Sequence, residues 1–176
     1  MMIENYINVQ SIVEHNKYKD ILLKHINDNT KKFETKLSKI SNTDWSESFD
    51  LERPYVKTFI EMLTSLPYKH LHKTDKNVHK EIKIHNVWYN QYLKGDTHSW
   101  HTHGECQFTN IYFLELNNSK HSTQIFDGHS NEMFEHQFKE GDLVSFPSFF
   151  PHRSDTINTD ERKTVIAFNT SFLNIN

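Results

Sequence analysis

Three histidines in the second half of the chain have the spacing expected of metal ligands. His101 and His103 lie two residues apart, and side chains two apart on a β-strand point to the same face. His152 comes later, directly after the apolar stretch 146–151, which would exclude water from a site. Imidazoles are common ligands of first-row transition metals. We therefore predict a metal site at His101, His103 and His152.

The identity of the middle ligand is open. Non-haem iron oxygenases commonly use two histidines and one carboxylate, which leaves metal positions free for other molecules. Here the residue two positions after His101 is His103, not an acid. Glu105 has the same strand parity, so His103 and Glu105 could form the pair, with His101 outside the metal sphere. Both sets, each completed by His152, fit the sequence.

A cationic residue, Arg162, follows the third histidine on a predicted strand. By alternation it shares a face with Thr164, Ile166 and Phe168. A buried guanidinium on an apolar face needs an anionic partner, and a bidentate carboxylate is a strong one. We predict that Arg162 binds an acidic cosubstrate beside the metal, with the Thr164 hydroxyl assisting. An exposed arginine paired with a neighbouring acid is the alternative.

Further polar and aromatic side chains lie on strands that should wall the same cavity. Asn90 and Tyr112 are the candidates for additional cosubstrate contacts, because a buried amide or phenol must be hydrogen-bonded. Trp88 and Tyr92 are expected mainly as wall residues. His98 has no comparable ligand spacing and is expected to be solvated.

The two halves of the chain differ in pattern. All four glycines fall after residue 94, where short strands need turns. Apolar residues in Val13–Leu37 and Glu52–Leu71 recur at helical spacing, which predicts two helices. From Ile82 onward the period becomes two. The predicted strands are Ile82–Leu93, Trp100–His103, Gln107–Leu116, Ser122–Phe126, Met133–Phe138, Asp142–Phe146, His152–Ile157 and Lys163–Phe172.

Eight such strands predict a mainly β fold, a jelly roll or double-stranded β-helix in which two sheets face each other. We expect one domain over residues 1–176. Residues 1–80 would form a helical buttress and residues 81–176 the jelly-roll core.

Composition excludes several classes of protein. The formal net charge of −3 offers no broad basic surface for nucleic acid. A single cysteine, Cys106, excludes an intramolecular disulfide and cysteine-rich metal sites. The first residues show no secretion signal, and no apolar run is long enough to span a membrane. We expect a cytoplasmic protein, with a homo-oligomer compatible with the sequence.

These motifs resemble the Fe(II)/2-oxoglutarate-dependent dioxygenase superfamily, and more closely the 2-oxoglutarate–iron oxygenases of marine bacteria and tailed phages. The resemblance covers residues 82–172. It rests on Trp88-Tyr89-Asn90, His101-Thr102-His103, residues 111–114, the segment from Gly141 to His152, and Arg162-Lys163-Thr164. It implies an Fe(II) site at His101, His103 and His152, and 2-oxoglutarate held by Arg162 with Thr164. Position 103 departs from the carboxylate usual in the superfamily.

The resemblance also implies an activity: oxidative decarboxylation of 2-oxoglutarate to succinate and CO2, coupled to hydroxylation of a substrate. The substrate class stays open among a protein side chain, a nucleobase and a small metabolite.

The same histidine motifs also resemble cupins, which include cofactor-free dioxygenases, isomerases and small-molecule binding modules. A cupin, however, expects a glutamate a few residues after the histidine pair, where this chain has Gln107 and Phe108. Arg162 would also have no role in a cupin. An interaction domain built on an inactive barrel is a third alternative, and it does not explain three aligned histidines.

Overall fold

In a computed structural model, which describes residues 6–28, 31–64, 81–128, 131–134 and 136–173, the described part consists mainly of two facing β-sheets, a short separate hairpin and two α-helices. The strands are β1 Asn8–Ser11, β2 Phe33–Glu34, β3 Lys39–Ile40, β4 Asn42–Thr43, β5 Glu81–Tyr92, β6 His98–His101, β7 Phe108–Leu116, β8 Thr123–Asp127, β9 Glu132–Met133, β10 Asp142–Pro147, β11 His152–Ser154 and β12 Lys163–Leu173. The helices are α1 His15–Asn27 and α2 Pro54–Thr64.

The major sheet has six strands in the order β1-β10-β7-β12-β5-β4, and its described pairings are antiparallel. The minor sheet has the order β6-β11-β8-β9. Strands distant in sequence are therefore neighbours in both sheets, as the jelly-roll expectation requires. A separate hairpin, β2-β3, joins the start of β6 through a bridge between Lys39 and Thr97.

The major sheet is apolar on both faces. On β12, Val165 belongs to the cluster between the two sheets, whereas Ile166 and Phe168 belong to the cluster beneath the helices. Because side chains alternate along a strand, each face can contribute to a different core. The inner face therefore lines the barrel, and the outer face supports α1 and α2.

The helices cover the outer face with amphipathic stripes. Helix α1 buries Tyr18, Leu22 and Ile26. Helix α2 begins with Pro54, whose fixed φ and missing N–H suit a first turn. It buries Phe59 and Met62 against the sheet.

The expected helical buttress over residues 1–80 is wrong in part. Strand β1 extends the major sheet, and helix α1 ends at Asn27 rather than at Leu37. The Asn27-Asp28 step favours chain reversal over helix, and Phe33 then pairs with Ile40 in the hairpin. The second predicted helix is confirmed over Pro54–Thr64, and its last predicted residues, 65–71, lie outside the described part.

The predicted strands are confirmed in position with shifted ends, except Met133–Phe138, where the structure has only the two-residue strand Glu132–Met133. Strand β6 begins at His98 and ends at His101, so His103 lies just beyond it. Strands β9 and β11 are shorter than expected. Within the described ranges, neither helix has the length and apolar character needed to cross a bilayer.

Candidate metal and cosubstrate site

Two of the predicted ligands lie side by side on neighbouring strands of the minor sheet. His152, the first residue of β11, pairs in register with His101, the last residue of β6. Their ring centroids are 4.2 Å apart. The register of one strand pair therefore brings together two residues that are far apart in sequence.

His103 reaches the same point from the loop that follows β6. Its backbone N–H donates to the carbonyl of Ser148, 2.9 Å away, which ties the loop to the segment preceding β11. Its ring centroid lies 5.2 Å from that of His101 and 5.0 Å from that of His152. One ligand atom from each of the three histidines lies within 4.8 Å of the others.

Glu105, the alternative middle ligand, does not join this cluster. It is exposed and has a φ of 59°, which places it in the left-handed region of a turn. Strand β6 ends at His101 and the chain bends at Glu105, so the strand parity that favoured Glu105 does not continue to this residue. The structure thus brings together the all-histidine set.

Each of the three imidazoles is held through its Nδ1 atom by an oxygen acceptor. His101 Nδ1 lies 2.8 Å from the Ser99 carbonyl, and His152 Nδ1 lies 3.1 Å from the Phe150 carbonyl. His103 Nδ1 lies 2.9 Å from Asn169 Oδ1. An Nδ1–H that donates to oxygen fixes the tautomer and leaves the Nε2 lone pair free for a metal.

Burial keeps these rings neutral. Desolvation lowers the pKa of His101, and it lowers the pKa of His103 to about 4, with the charge of His101 contributing. Desolvation also lowers the pKa of His152 well below its ordinary value. Neutral imidazole is the form that binds a metal. Three preorganised neutral nitrogen donors suit Fe(II) and similar divalent ions.

A buried cation lies next to this cluster, and it is Lys163. The side chain is on the inner face of β12 and the residue is 2% exposed. Its Nζ donates to Ser154 Oγ at 2.9 Å and lies 5.0 Å from the centroid of the Tyr92 ring. Among the described residues, no carboxylate pairs with it, and burial lowers its pKa to about 7. A buried ammonium without a counterion is a site that favours an anion.

Arg162, the predicted cosubstrate contact, immediately precedes β12, and its side chain lies on the other face of the major sheet. Its guanidinium forms a bidentate pair with Glu115, with Nε and Nη2 each 2.8 Å from a carboxylate oxygen. Thr164 donates to the same carboxylate, and Nη1 of Arg162 reaches Asn27. The expected orientation of Arg162 and Thr164 is therefore corrected: both lie on the helix-facing side, because alternation points Lys163 into the barrel instead.

The two other predicted cosubstrate contacts, Asn90 and Tyr112, lie on opposite faces of the major sheet. Asn90 lines the cavity beside the histidines, where its Oδ1 accepts a hydrogen bond from Thr43 at 2.7 Å. Tyr112 lies on the outer face, with its hydroxyl 2.6 Å from Nδ1 of His15 and its ring stacked on Phe59. Its predicted contact with a cosubstrate in the barrel is not compatible with this position.

His98 is not solvated as expected. Its ring stacks on that of His101, with centroids 4.0 Å apart, and desolvation lowers its pKa to about 3. The β6–β11 pairing has a register irregularity, because His98 and His101, three residues apart, pair with Ser154 and His152, two residues apart. Such an irregularity interrupts the strict alternation of side chains, so both histidines face the cavity. Sequence spacing alone does not reveal this contact.

Two cavities share the histidine cluster. The narrow one has a volume of about 30 Å³, room for two or three water molecules or a carboxylate group, and is lined by Lys163, Ser154 and Tyr92 among others. The wide one has a volume of about 320 Å³ and opens between β5 and the segment 33–45. His101 and His103 line both, so the metal site lies where the two meet.

Comparison with solved structures identifies the fold. The chain is similar to a viral collagen prolyl hydroxylase from Paramecium bursaria Chlorella virus-1 in complex with 2-oxoglutarate. The two share 12% identity over 94% of this chain and 95% of the other, with a TM-score of 0.63. The chain has the fold of the 2-oxoglutarate–Fe(II) oxygenases.

Two further solved structures are similar to this chain in fold. A Trichoplax adhaerens prolyl hydroxylase in complex with a hypoxia-inducible-factor peptide has a TM-score of 0.66 at 12% identity, over 97% of this chain and 84% of the other. HygX from Streptomyces hygroscopicus, with nickel, 2-oxoglutarate and hygromycin B bound, has a TM-score of 0.66 at 9% identity, over 96% and 84%. No family model and no curated protein matches the sequence. The double-stranded β-helix predicted from the sequence is confirmed.

Proposed function

We propose that this chain is an Fe(II)- and 2-oxoglutarate-dependent dioxygenase, an oxidoreductase that hydroxylates a substrate and releases succinate and CO2. One observation carries the proposal: three neutral imidazoles converge beside a buried lysine that pairs with no carboxylate in the described part of the chain. A metal alone would not require that lysine. A metal that shares its site with a dicarboxylate accounts for both features.

In this proposal His101, His103 and His152 hold the metal through Nε2. Bound there, Fe(II) together with 2-oxoglutarate supplies the oxidising chemistry, in which O2 turns 2-oxoglutarate into succinate and CO2 and oxidises a C–H bond of the substrate. Asn169 holds His103 in its tautomer, and the backbone carbonyls of Ser99 and Phe150 hold the other two rings. The three rings therefore need little rearrangement when the metal binds.

Lys163 takes the role that the sequence suggested for Arg162. Its ammonium holds the distal carboxylate of 2-oxoglutarate, while Ser154 keeps Nζ aimed into the narrow cavity. The charge pair is shielded from water by Tyr92 and Phe113, whose rings lie 5.0 and 6.0 Å from Nζ. Low exposure strengthens this attraction and fixes the orientation of the cosubstrate.

Aromatic residues exclude water from the metal point, by which we mean the position between His101, His103 and His152. Trp88 stacks on His103 at a centroid distance of 5.6 Å, and Phe146 packs edge-on against His152 at 4.9 Å. A dry site protects a reactive oxidant from side reactions. Residues 1–176 act as one domain in this proposal, since β1 completes the sheet that carries Lys163. The cupin alternative gives this lysine no role.

The test is succinate formation. Protein loaded with Fe(II) and 2-oxoglutarate should release succinate slowly in air without any substrate, by uncoupled turnover. The His152→Ala variant should release none above the level of free iron. If the wild-type protein binds both cofactors but forms no succinate, the oxygenase proposal fails.

A further inference from the structure

The residues that line the wide cavity beside the histidines indicate the chemistry of the substrate, on the condition that the proposed function is correct. Its thirteen lining residues come from β5, β6, β12, the loop after β6 and the segment 33–45. Lys163 lines the narrow cavity and is not among the lining residues of the wide one. A molecule in it would lie against His101 and His103 without displacing a cosubstrate at Lys163.

No charged side chain lines this cavity. Of its thirteen lining residues, none is Asp, Glu, Lys or Arg. A charged group that entered would lose hydration without gaining a partner, which is costly. The group that enters is therefore uncharged.

The walls are aromatic. Phe33 and Trp45 form one side, with ring centroids 6.4 Å apart, and Phe33 lies 6.4 Å from His98. Trp88 forms another side, where it is buried and stacked on His103. Trp45 is 56% exposed although it is a large aromatic, so part of its surface is available at the entrance. Aromatic walls favour a flat ring.

One of the three asparagines that line the cavity has a side-chain acceptor without a partner among the described residues. The Oδ1 atoms of Asn90 and Asn169 already accept hydrogen bonds, from Thr43 and from His103 respectively. Asn86 Oδ1 is buried and has no partner among the described residues. Asn86 pairs with Asn169 in the β5–β12 register. It therefore neighbours the residue that holds the ring of His103. A buried acceptor without a donor is unfavourable, and a ligand N–H would satisfy it.

We propose that the wide cavity binds an uncharged planar ring that bears an N–H donor, the chemistry of a nucleobase. The ring stacks against the aromatic walls, and its N–H donates to Asn86 Oδ1 once the amide turns to expose that oxygen, which is buried in the structure. Amide side chains are suited to the alternating donors and acceptors on the edge of a base. A free nucleoside and a base within a polynucleotide share this chemistry, and the net charge of −3 favours the nucleoside.

The experiment uses uracil as the probe, with protein loaded with Zn(II) and 2-oxoglutarate so that no turnover occurs. Affinity is measured by ligand-observed NMR. 1,3-Dimethyluracil has the same ring without an N–H, and orotate carries a carboxylate. Both should bind at least tenfold more weakly than uracil. Equal binding of 1,3-dimethyluracil, or binding of a prolyl peptide in place of uracil, would overturn the proposal.

Variants locate the contact. Asn86→Leu should abolish the preference for uracil over 1,3-dimethyluracil, whereas Trp45→Ala should weaken both ligands and keep the preference. Asn158→Leu, at an exposed asparagine outside the cavity, should change neither. A preference that survives in Asn86→Leu would contradict the assigned acceptor. Uridine and oligouridylate then distinguish the source, since a polymer that binds more tightly per base places the ring in a polynucleotide.

The two proposals fail separately. Binding of Zn(II) and 2-oxoglutarate is confirmed before uracil is added, so loss of uracil binding alone contradicts only the ring assignment. Uracil is also tested on metal-free protein. Uracil binding there, combined with no cosubstrate binding, would support the ring site and contradict the proposed function.

Discussion

At the scale of single residues, the site depends on which nitrogen of each histidine is free. Ser99, Phe150 and Asn169 supply oxygen acceptors to Nδ1, and these acceptors decide that Nε2 faces the metal. The acceptors of His101 and His152 are backbone carbonyls, of Ser99 and Phe150, so a side-chain substitution at those two residues does not remove them. His103 is held by a side chain, so its support can be removed by mutation.

We expect Asn169→Leu to weaken Co(II) binding by about 10- to 100-fold, the range usual for loss of a residue that orients a metal ligand. His101→Ala, His103→Ala and His152→Ala should each weaken it more. Glu105→Gln is the control and should bind Co(II) like the wild type, because Glu105 is exposed and outside the cluster. Titration followed by the visible Co(II) spectrum measures this. Loss of binding in Glu105→Gln alone would move the middle ligand to Glu105.

Lys163 gives the metal-free protein a characteristic pH dependence. Its folded-state pKa is lowered from 10.5 to about 7 by burial. Between these two values the unfolded chain binds more protons than the folded chain, so this group makes the free energy of unfolding rise with pH. Below pH 7 its full destabilising effect is present.

Lys163→Met should remove this effect. The variant should exceed the wild type in stability most at pH 6, and the difference should narrow as the pH approaches 9. Urea unfolding at a series of pH values measures it. A difference that is constant over this range would mean that Lys163 is not a strongly desolvated ammonium.

The sequence could indicate the chemistry of these residues but not the face on which each lies. Arg162 and Lys163 are adjacent cations, so one of them must point into the barrel. The strand that follows is apolar on both faces, since helices cover one side and the second sheet the other. Hydrophobic alternation therefore could not show that Lys163 is the inward residue. Glu115, the partner of Arg162, is on another strand and is found only in three dimensions.

At the scale of elements, the strands with clear alternation could be predicted and the short ones could not. β5, β7, β10 and β12 appear close to their predicted positions. β2, β3 and β4 have two residues each, too few to show a period, so hydrophobic alternation cannot predict them. The segment 33–45 supplies four of the thirteen residues that line the wide cavity, including Phe33 and Trp45, so hydrophobic alternation cannot predict this wall.

The turn before β10 couples the barrel to helix α1. Gly141 has a φ of +84°, and a Cβ added there would lie 3.1 Å from the ring of His15, which is itself held by Tyr112. We expect Gly141→Ala to lower the free energy of unfolding by about 1–3 kcal/mol, from backbone strain and the contact. Gly104→Ala is the control, since nothing lies within 4 Å of its added Cβ. Equal effects in urea unfolding would contradict the account of this turn.

At the scale of the whole molecule, the architecture separates two tasks. The outer face of the major sheet carries the packing that stabilises the fold, including α1, α2 and the Arg162–Glu115 pair. The inner face carries Lys163, Asn86 and Asn169, and the minor sheet supplies His101 and His152. The metal point lies where the two sheets face each other. A variant on the outer face should change stability, and one on the inner face should change ligand binding.

The most direct test of this account is an anaerobic titration of the Fe(II)-loaded protein with 2-oxoglutarate, followed by the weak visible band that the bound cosubstrate produces. The wild type should show a saturable band. Lys163→Met should raise the dissociation constant at least tenfold, since loss of one partner of a buried charge pair costs about 2–5 kcal/mol. Arg162→Met should be less stable but bind 2-oxoglutarate like the wild type. A band that is lost in Arg162→Met and kept in Lys163→Met would contradict the account.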